Sequence, residues 1–121
     1  MSIFLNIPEN KILHRGKYFF LIYDRYPVSE GHMLIISNEV KLDYFSLNET
    51  EKIELSNLIK TAKEIIEKDR SPNGYNIGMN CGEASGQTVM HFHCHVIPRY
   101  FGDMKNPSGG IRHCVEGKGY Y

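Results

Sequence analysis

Neither sign of charge is in excess in this chain. Lysine plus arginine number 14, aspartate plus glutamate number 14, and the formal net charge is zero. A nucleic-acid backbone or an acidic membrane surface therefore has no bulk electrostatic hold on it. Any anion it binds must be held by local geometry. No apolar run reaches transmembrane length. The opening Met1-Ser2-Ile3-Phe4-Leu5-Asn6-Ile7-Pro8 is too short and too soon broken for a signal sequence. Cysteine is scarce: Cys81, Cys94 and Cys114 are an odd number with no C-x-x-C pair, which reads as reduced thiols in a cytoplasmic protein. Repeats, low-complexity stretches and charge blocks are absent as well. What remains is 121 residues, 41% hydrophobic and 23% charged, enough for one domain with a modest core.

Hydrophobic patterning divides that domain. Residues 11–14 and 17–24 read as two strands joined by a turn at Arg15-Gly16, the second rich in strand formers (Tyr18-Phe19-Phe20-Leu21-Ile22-Tyr23). A loop punctuated by Pro27 and Gly31 leads to a third, buried strand at 32–37. Asn48 with Glu51 three residues on predicts a capping box, and Leu55, Leu58, Ile59, Ala62, Ile65 and Ile66 follow helical spacing. Ser71-Pro72-Asn73-Gly74 is expected to end that helix, whose charged residues read as its solvated face. Residues 75–80 form a fourth strand, with Asn76, Gly78 and Asn80 on one face. The tail from about 102 reads as extended. Five strands with partly short connections and one long helix predict an α+β fold with an antiparallel sheet in a single domain over 1–121.

Residues 89–97 carry the chemistry. In a strand, side chains alternate, so Val89, His91, His93, His95 and Ile97 share one face. Met90, Phe92, Cys94 and Val96 form an apolar back, and Pro98 limits pairing. Imidazole serves as nucleophile, base or acid near neutral pH and is also the commonest metal ligand. A lone histidine is more often a satisfied structural residue, but three at strict period two mark a site. The loop 81–88 precedes the row. Its Gly82 and Gly86 allow close backbone approach to phosphate oxygens, and Gln87 and Thr88 bring polar side chains. A metal site is the rival reading, with His-x-His as chelate and His32 completing it. Against it, Cys94 points away and no aspartate follows the row.

The run His91-Phe92-His93-Cys94-His95-Val96-Ile97 resembles the histidine triad (HIT) family signature, His-φ-His-φ-His-φ-φ with φ apolar. Gly86-Gln87-Thr88-Val89, Asn76-x-Gly78, Asn80 and Asp24-x(7)-His32-x-Leu34 match as well, so the likeness spans roughly residues 3–112. The resemblance implies hydrolysis at the α-phosphate of an adenylylated purine nucleotide, a dinucleoside polyphosphate or a phosphoramidate, through a covalent nucleotidyl-histidine that releases AMP. It makes His93 the nucleophile. His95 and His32 would contact phosphate oxygens, His91 would orient the nucleophile by hydrogen bonding, and Gln87 and Thr88 would reach the leaving group. Asp24 would hold the ribose, Phe4 and Ile22 would wall the base, and Gly86, Val89 and Asn80 would complete the nucleotide site. Many relatives bind structural zinc. Ser2, Leu5 and Val40 stand at those ligand positions here, so no zinc and no cofactor are expected. Histidine rather than glutamine at the third position favours hydrolase over uridylyltransferase. Pro98-Arg99 followed by Gly102-Asp103 resembles the dinucleoside polyphosphate hydrolase branch. A homodimer with a joined ten-stranded sheet is implied too. A nucleotide-binding protein that does not turn over is the alternative.

Overall fold

The computed structural model describes residues 2–121. Among them, β1 (His14–Arg15), β2 (Phe19–Tyr23), β3 (Met33–Ser37), β4 (Gly74–Gly78) and β5 (His93–Arg99) form one antiparallel sheet in the order β1-β2-β3-β5-β4. One α-helix, α1 (Glu49–Glu67), packs on it. The predicted fold class is what the structure shows.

Strand alternation separates two apolar layers. Phe19, Leu21, Met33, Ile35, Cys94 and Val96 face α1 and meet its Leu55, Leu58, Ala62 and Ile66. Phe20, Ile22, Leu34 and Ile36 face the other way and are covered by Phe4. Strands β2 and β3 are thus apolar on both faces. β5 is apolar only toward α1, and its opposite face carries the histidines. The register sets their neighbours: His93 lies beside Ile36, and His95 lies between Leu34 and Gly78.

Several boundaries differ from the sequence reading. The first strand is only His14–Arg15, because residues 9–11 turn as a short 3₁₀ helix. β5 starts at His93, not before it. Residues 89–91 bend, and Met90, expected on the packing face, is 43% exposed. Pro98 is paired with Tyr75 inside β5. The N–H and C=O of one strand residue point to the same side. The Pro98 carbonyl accepts from Ser29 Oγ at 2.6 Å, so the missing N–H also points away from β4, where β3 pairing has already ended at Val96. Proline limits pairing on that side alone.

The capping box forms as expected. Asn48 Oδ1 accepts from the Glu51 N–H at 2.9 Å, and Glu51 Oε1 accepts from the Asn48 N–H at 2.8 Å. The helix ends at Glu67, ahead of Ser71-Pro72. Its charged residues are not all a solvated face. Glu51 is buried. The Glu54 carboxylate accepts the N–H groups of Lys17, Tyr18 and Phe19 at 3.0, 2.8 and 3.0 Å, tying α1 to the start of β2. The tail is not extended either. Gly110–Cys114 is a 3₁₀ turn, and Ile111 lies against Gly78 on the histidine-bearing side of the sheet. His113, half-buried, donates from Nε2 to the Ser108 carbonyl at 2.8 Å and meets the Tyr120 ring edge-on at 4.6 Å.

Candidate active site

Hydrogen bonds fix the tautomer of each triad ring. His93 Nδ1 lies 2.9 Å from the His91 carbonyl oxygen. A carbonyl only accepts, so Nδ1 carries the hydrogen, and Nε2 keeps its lone pair. His91 itself is fully buried. Its Nε2 donates to the Ser37 carbonyl at 2.7 Å, which leaves Nδ1 to accept from Ser2 Oγ at 2.8 Å. The hydrogen bond that orients His93 therefore comes from the backbone of His91. The His91 imidazole anchors that backbone to the neighbouring strand.

A second chain of bonds sets His95. The Val28 N–H donates to His32 Nδ1 at 3.2 Å, so the His32 hydrogen is on Nε2. Nε2 is 2.9 Å from His95 Nδ1 and 3.4 Å from Asp24 Oδ2. His95 Nδ1 accepts, and its own hydrogen sits on Nε2. His32 was expected to contact phosphate. Here it is buried, and its one hydrogen is committed to His95 and Asp24. Its ring centroid lies 5.1 Å from that of His95.

Burial lowers the pKa of His32 and of His91 below the usual imidazole value, and Asp24 only partly opposes this at His32. Burial, then the neighbouring His93 and His32 rings, push His95 down to about 4. All three are neutral at pH 7. The unfolded chain takes up protons below about 6.5 that the folded chain refuses. Stability therefore falls as pH drops from about 6.5 toward 4 and is level above 7. His95 alone contributes on the order of 3 kcal/mol of this loss. Urea melts at pH 7 and pH 4.5 are expected to show the drop, and His95→Gln to reduce it. Equal midpoints for the wild type would contradict the assignment.

The predicted nucleotide residues converge. Phe4, Ile22, Asp24, His32, Asn80, Gly86, Thr88, Val89, His93 and His95 all line one open cleft of about 1460 Å³. The Phe4 ring stands edge-on to His93 at 5.1 Å and to His91 at 5.5 Å. Asp24 Oδ1 accepts from the Tyr26 N–H at 2.8 Å, and its other oxygen faces His32, leaving lone pairs for a further donor. Gly86 adopts φ +95°, a left-handed turn that glycine takes without strain.

Gln87 is the exception. It is buried, and its amide is engaged by the chain: Oε1 accepts from the Gly82 N–H at 2.8 Å, and Nε2 donates to the carbonyls of Leu42 at 2.7 Å and Val89 at 3.2 Å. Its amide ties the loop 82–88 together, and its side chain is not part of the cleft lining. Sequence reasoning missed Val28, Ser37 and the Ser2 hydroxyl. Two act through backbone atoms, which every residue has, and no pattern marks them.

Neither metal reading fits these residues. At the positions where many relatives hold zinc, Ser2 Oγ is engaged by His91, and Leu5 and Val40 are exposed hydrocarbons. They offer no thiolate and no imidazole. Asp24, which a loop delivers, supplies the carboxylate that the histidine row lacked. Its oxygen and ring nitrogens of His32 and His95 lie within 4.8 Å of one another. A metal-binding histidine donates its other N–H to an acceptor. His32 Nδ1 instead faces the Val28 N–H, so Nε2 must keep the hydrogen that a metal would displace.

An imidazole with Nδ1 fixed on a backbone carbonyl stands 5.3 Å, centroid to centroid, from a second ring on the open face of a five-stranded α+β sheet. The HIT domain model matches residues 5–102. The chain belongs to the HIT family. It is 31% identical over 100 residues to the AP-4-A phosphorylase of Mycobacterium tuberculosis, covering 82% of this chain and 51% of that protein. It is 31% identical over 90 residues to the asymmetrical bis(5'-nucleosyl)-tetraphosphatase of Schizosaccharomyces pombe, covering 74% of this chain and 50% of the relative. The chain thus spans about half the length of these two proteins. A crystal structure of a HIT family protein from Bacillus anthracis superposes with a TM-score of 0.72 at 31% identity, over 77% of this chain and 66% of that one. Among the described residues, no helix is long and apolar enough to cross a membrane.

Proposed function

We propose that this chain cleaves adenylylated nucleotides at the α-phosphate through a covalent intermediate on His93. One observation carries the reading: His93 Nδ1–H is locked on the His91 carbonyl, leaving Nε2 as a lone pair beside the cleft. That lone pair attacks phosphorus, an N–P bond forms, and the bond to the leaving group breaks. Water then attacks the same phosphorus, the N–P bond breaks, and AMP leaves with the ring restored. One hard displacement becomes two easier ones. His95 Nε2–H stabilises charge on a phosphate oxygen. Phe4, Ile22 and Leu34 wall the base, and Asp24 accepts from the ribose hydroxyls. The phosphorylase relative supports a variant in which inorganic phosphate replaces water and the product is ADP. A cytoplasmic setting belongs to the reading. So does a homodimer, for β4 is an edge strand with β5 as its partner within the chain.

The test is AMP release from diadenosine tetraphosphate and from an adenosine phosphoramidate, side by side, with chelator throughout and with or without phosphate. Turnover of either supports the reading, and the ratio of rates chooses the leaving-group class. ADP formed only with phosphate identifies the acceptor. Equilibrium binding with no product from either substrate would instead identify a nucleotide-binding module.

A further inference from the structure

The segment preceding β1 meets the triad through the Phe4 ring and through one hydroxyl. Ser2 Oγ accepts from the Phe4 N–H at 3.2 Å, and its own hydrogen goes to His91 Nδ1 at 2.8 Å. Nδ1 of His91 must accept, because Nε2–H is engaged by the Ser37 carbonyl at 2.7 Å. His91 is held neutral by burial, so it has no second hydrogen to offer. Serine oxygen meets both needs at once, accepting from one neighbour and donating to the other. The Phe4 ring is thereby set edge-on to His91 and His93, at interplanar angles of 76° and 65°, and closes the apolar layer over Phe20, Ile22, Leu34 and Ile36.

We infer that Ser2 is a positioning residue for nucleotide binding, acting through His91 and Phe4. It rests on the proposed function, because the surface that Phe4 closes is the base wall of that reading. Without the hydroxyl, the buried Nδ1 loses its donor and the Phe4 turn loses its cap. The wall then loosens, while the bond from His93 to the His91 carbonyl stays. The loss falls on ground-state binding and so on KM, with kcat largely kept.

Calorimetric AMP binding tests this on the wild type, Ser2→Ala, Ser2→Thr, Phe4→Ala and the Ser2→Ala/Phe4→Ala pair. Ser2→Ala is expected to weaken AMP about tenfold, and Ser2→Thr, which keeps the hydroxyl, to bind within about twofold of wild type. The pair is expected to be no weaker than Phe4→Ala alone, because both changes act through one docked ring. Imidazole ¹⁵N spectra should show the His91 Nδ1 signal moving in Ser2→Ala and not in Ser2→Thr. Wild-type affinity in Ser2→Ala, failure of Ser2→Thr to restore it, or multiplying effects in the pair would each overturn the role of Ser2 while leaving the proposed function standing. A wild type that does not bind AMP overturns both.

Discussion

Replacing His93 by alanine is expected to reduce turnover by at least about 10⁴-fold while leaving AMP affinity within a few-fold. The factor corresponds to about 5.5 kcal/mol of lost transition-state stabilisation. Donors aimed at phosphate oxygens are worth about 10²–10³ each, and they survive in the variant, so a residual rate above background is expected. They cannot restore the rate, because no other group presents a lone pair at the position of Nε2. His95 offers a hydrogen there, His91 is buried, and the His32 ring is engaged on both nitrogens. Brief quenching of the wild type with substrate should trap one nucleotidyl group on the peptide containing His93. Turnover that persists in His93→Ala would place the nucleophile elsewhere. Intact binding with no wild-type turnover would leave the fold as a nucleotide-binding module.

The sheet, the capped helix and the residues of the cleft were legible because each leaves a periodic trace. Alternation in 93–97 and the Asn48-to-Glu51 spacing are statements about side chains, and side chains are what a sequence prints. The differences arise where backbone atoms act. His91 was read as a member of a displayed row, yet it sits before β5, and its carbonyl does what its ring was expected to do. Gln87 was read as a polar group beside the site, but the turning loop gives its amide three backbone partners. Glu54 was read as solvated because it lies off the apolar stripe of α1, and only the nearby start of β2 supplies the three N–H groups it binds. The tail's 3₁₀ turn has the same origin. Ile111 finds the bare backbone of Gly78, a long-range match with no local signal.

The second large effect is expected at His32. In His32→Ala, His95 Nδ1 loses its donor, and the ring can place its hydrogen on Nδ1 instead. Nε2 then presents a lone pair to a phosphate oxygen, so attraction becomes repulsion. A loss of about 10²–10³ in kcat follows, comparable to removing one oxyanion donor, with KM changed little. Glutamine separates this role from space-filling. In His32→Gln the side-chain oxygen can accept the Val28 N–H while the amide nitrogen donates to His95, so both bonds of the relay have a counterpart. Activity within about tenfold of wild type is expected, since the relay survives with altered geometry. Imidazole ¹⁵N spectra should show His95 as the Nε2–H tautomer in wild type and His32→Gln, and as a mixture in His32→Ala. A rise in KM with unchanged kcat would instead mean that His32 binds the nucleotide directly. Equal damage in both variants, with the His95 tautomer unaltered, would reduce His32 to packing and break the link from the Val28 backbone through His95 to the substrate.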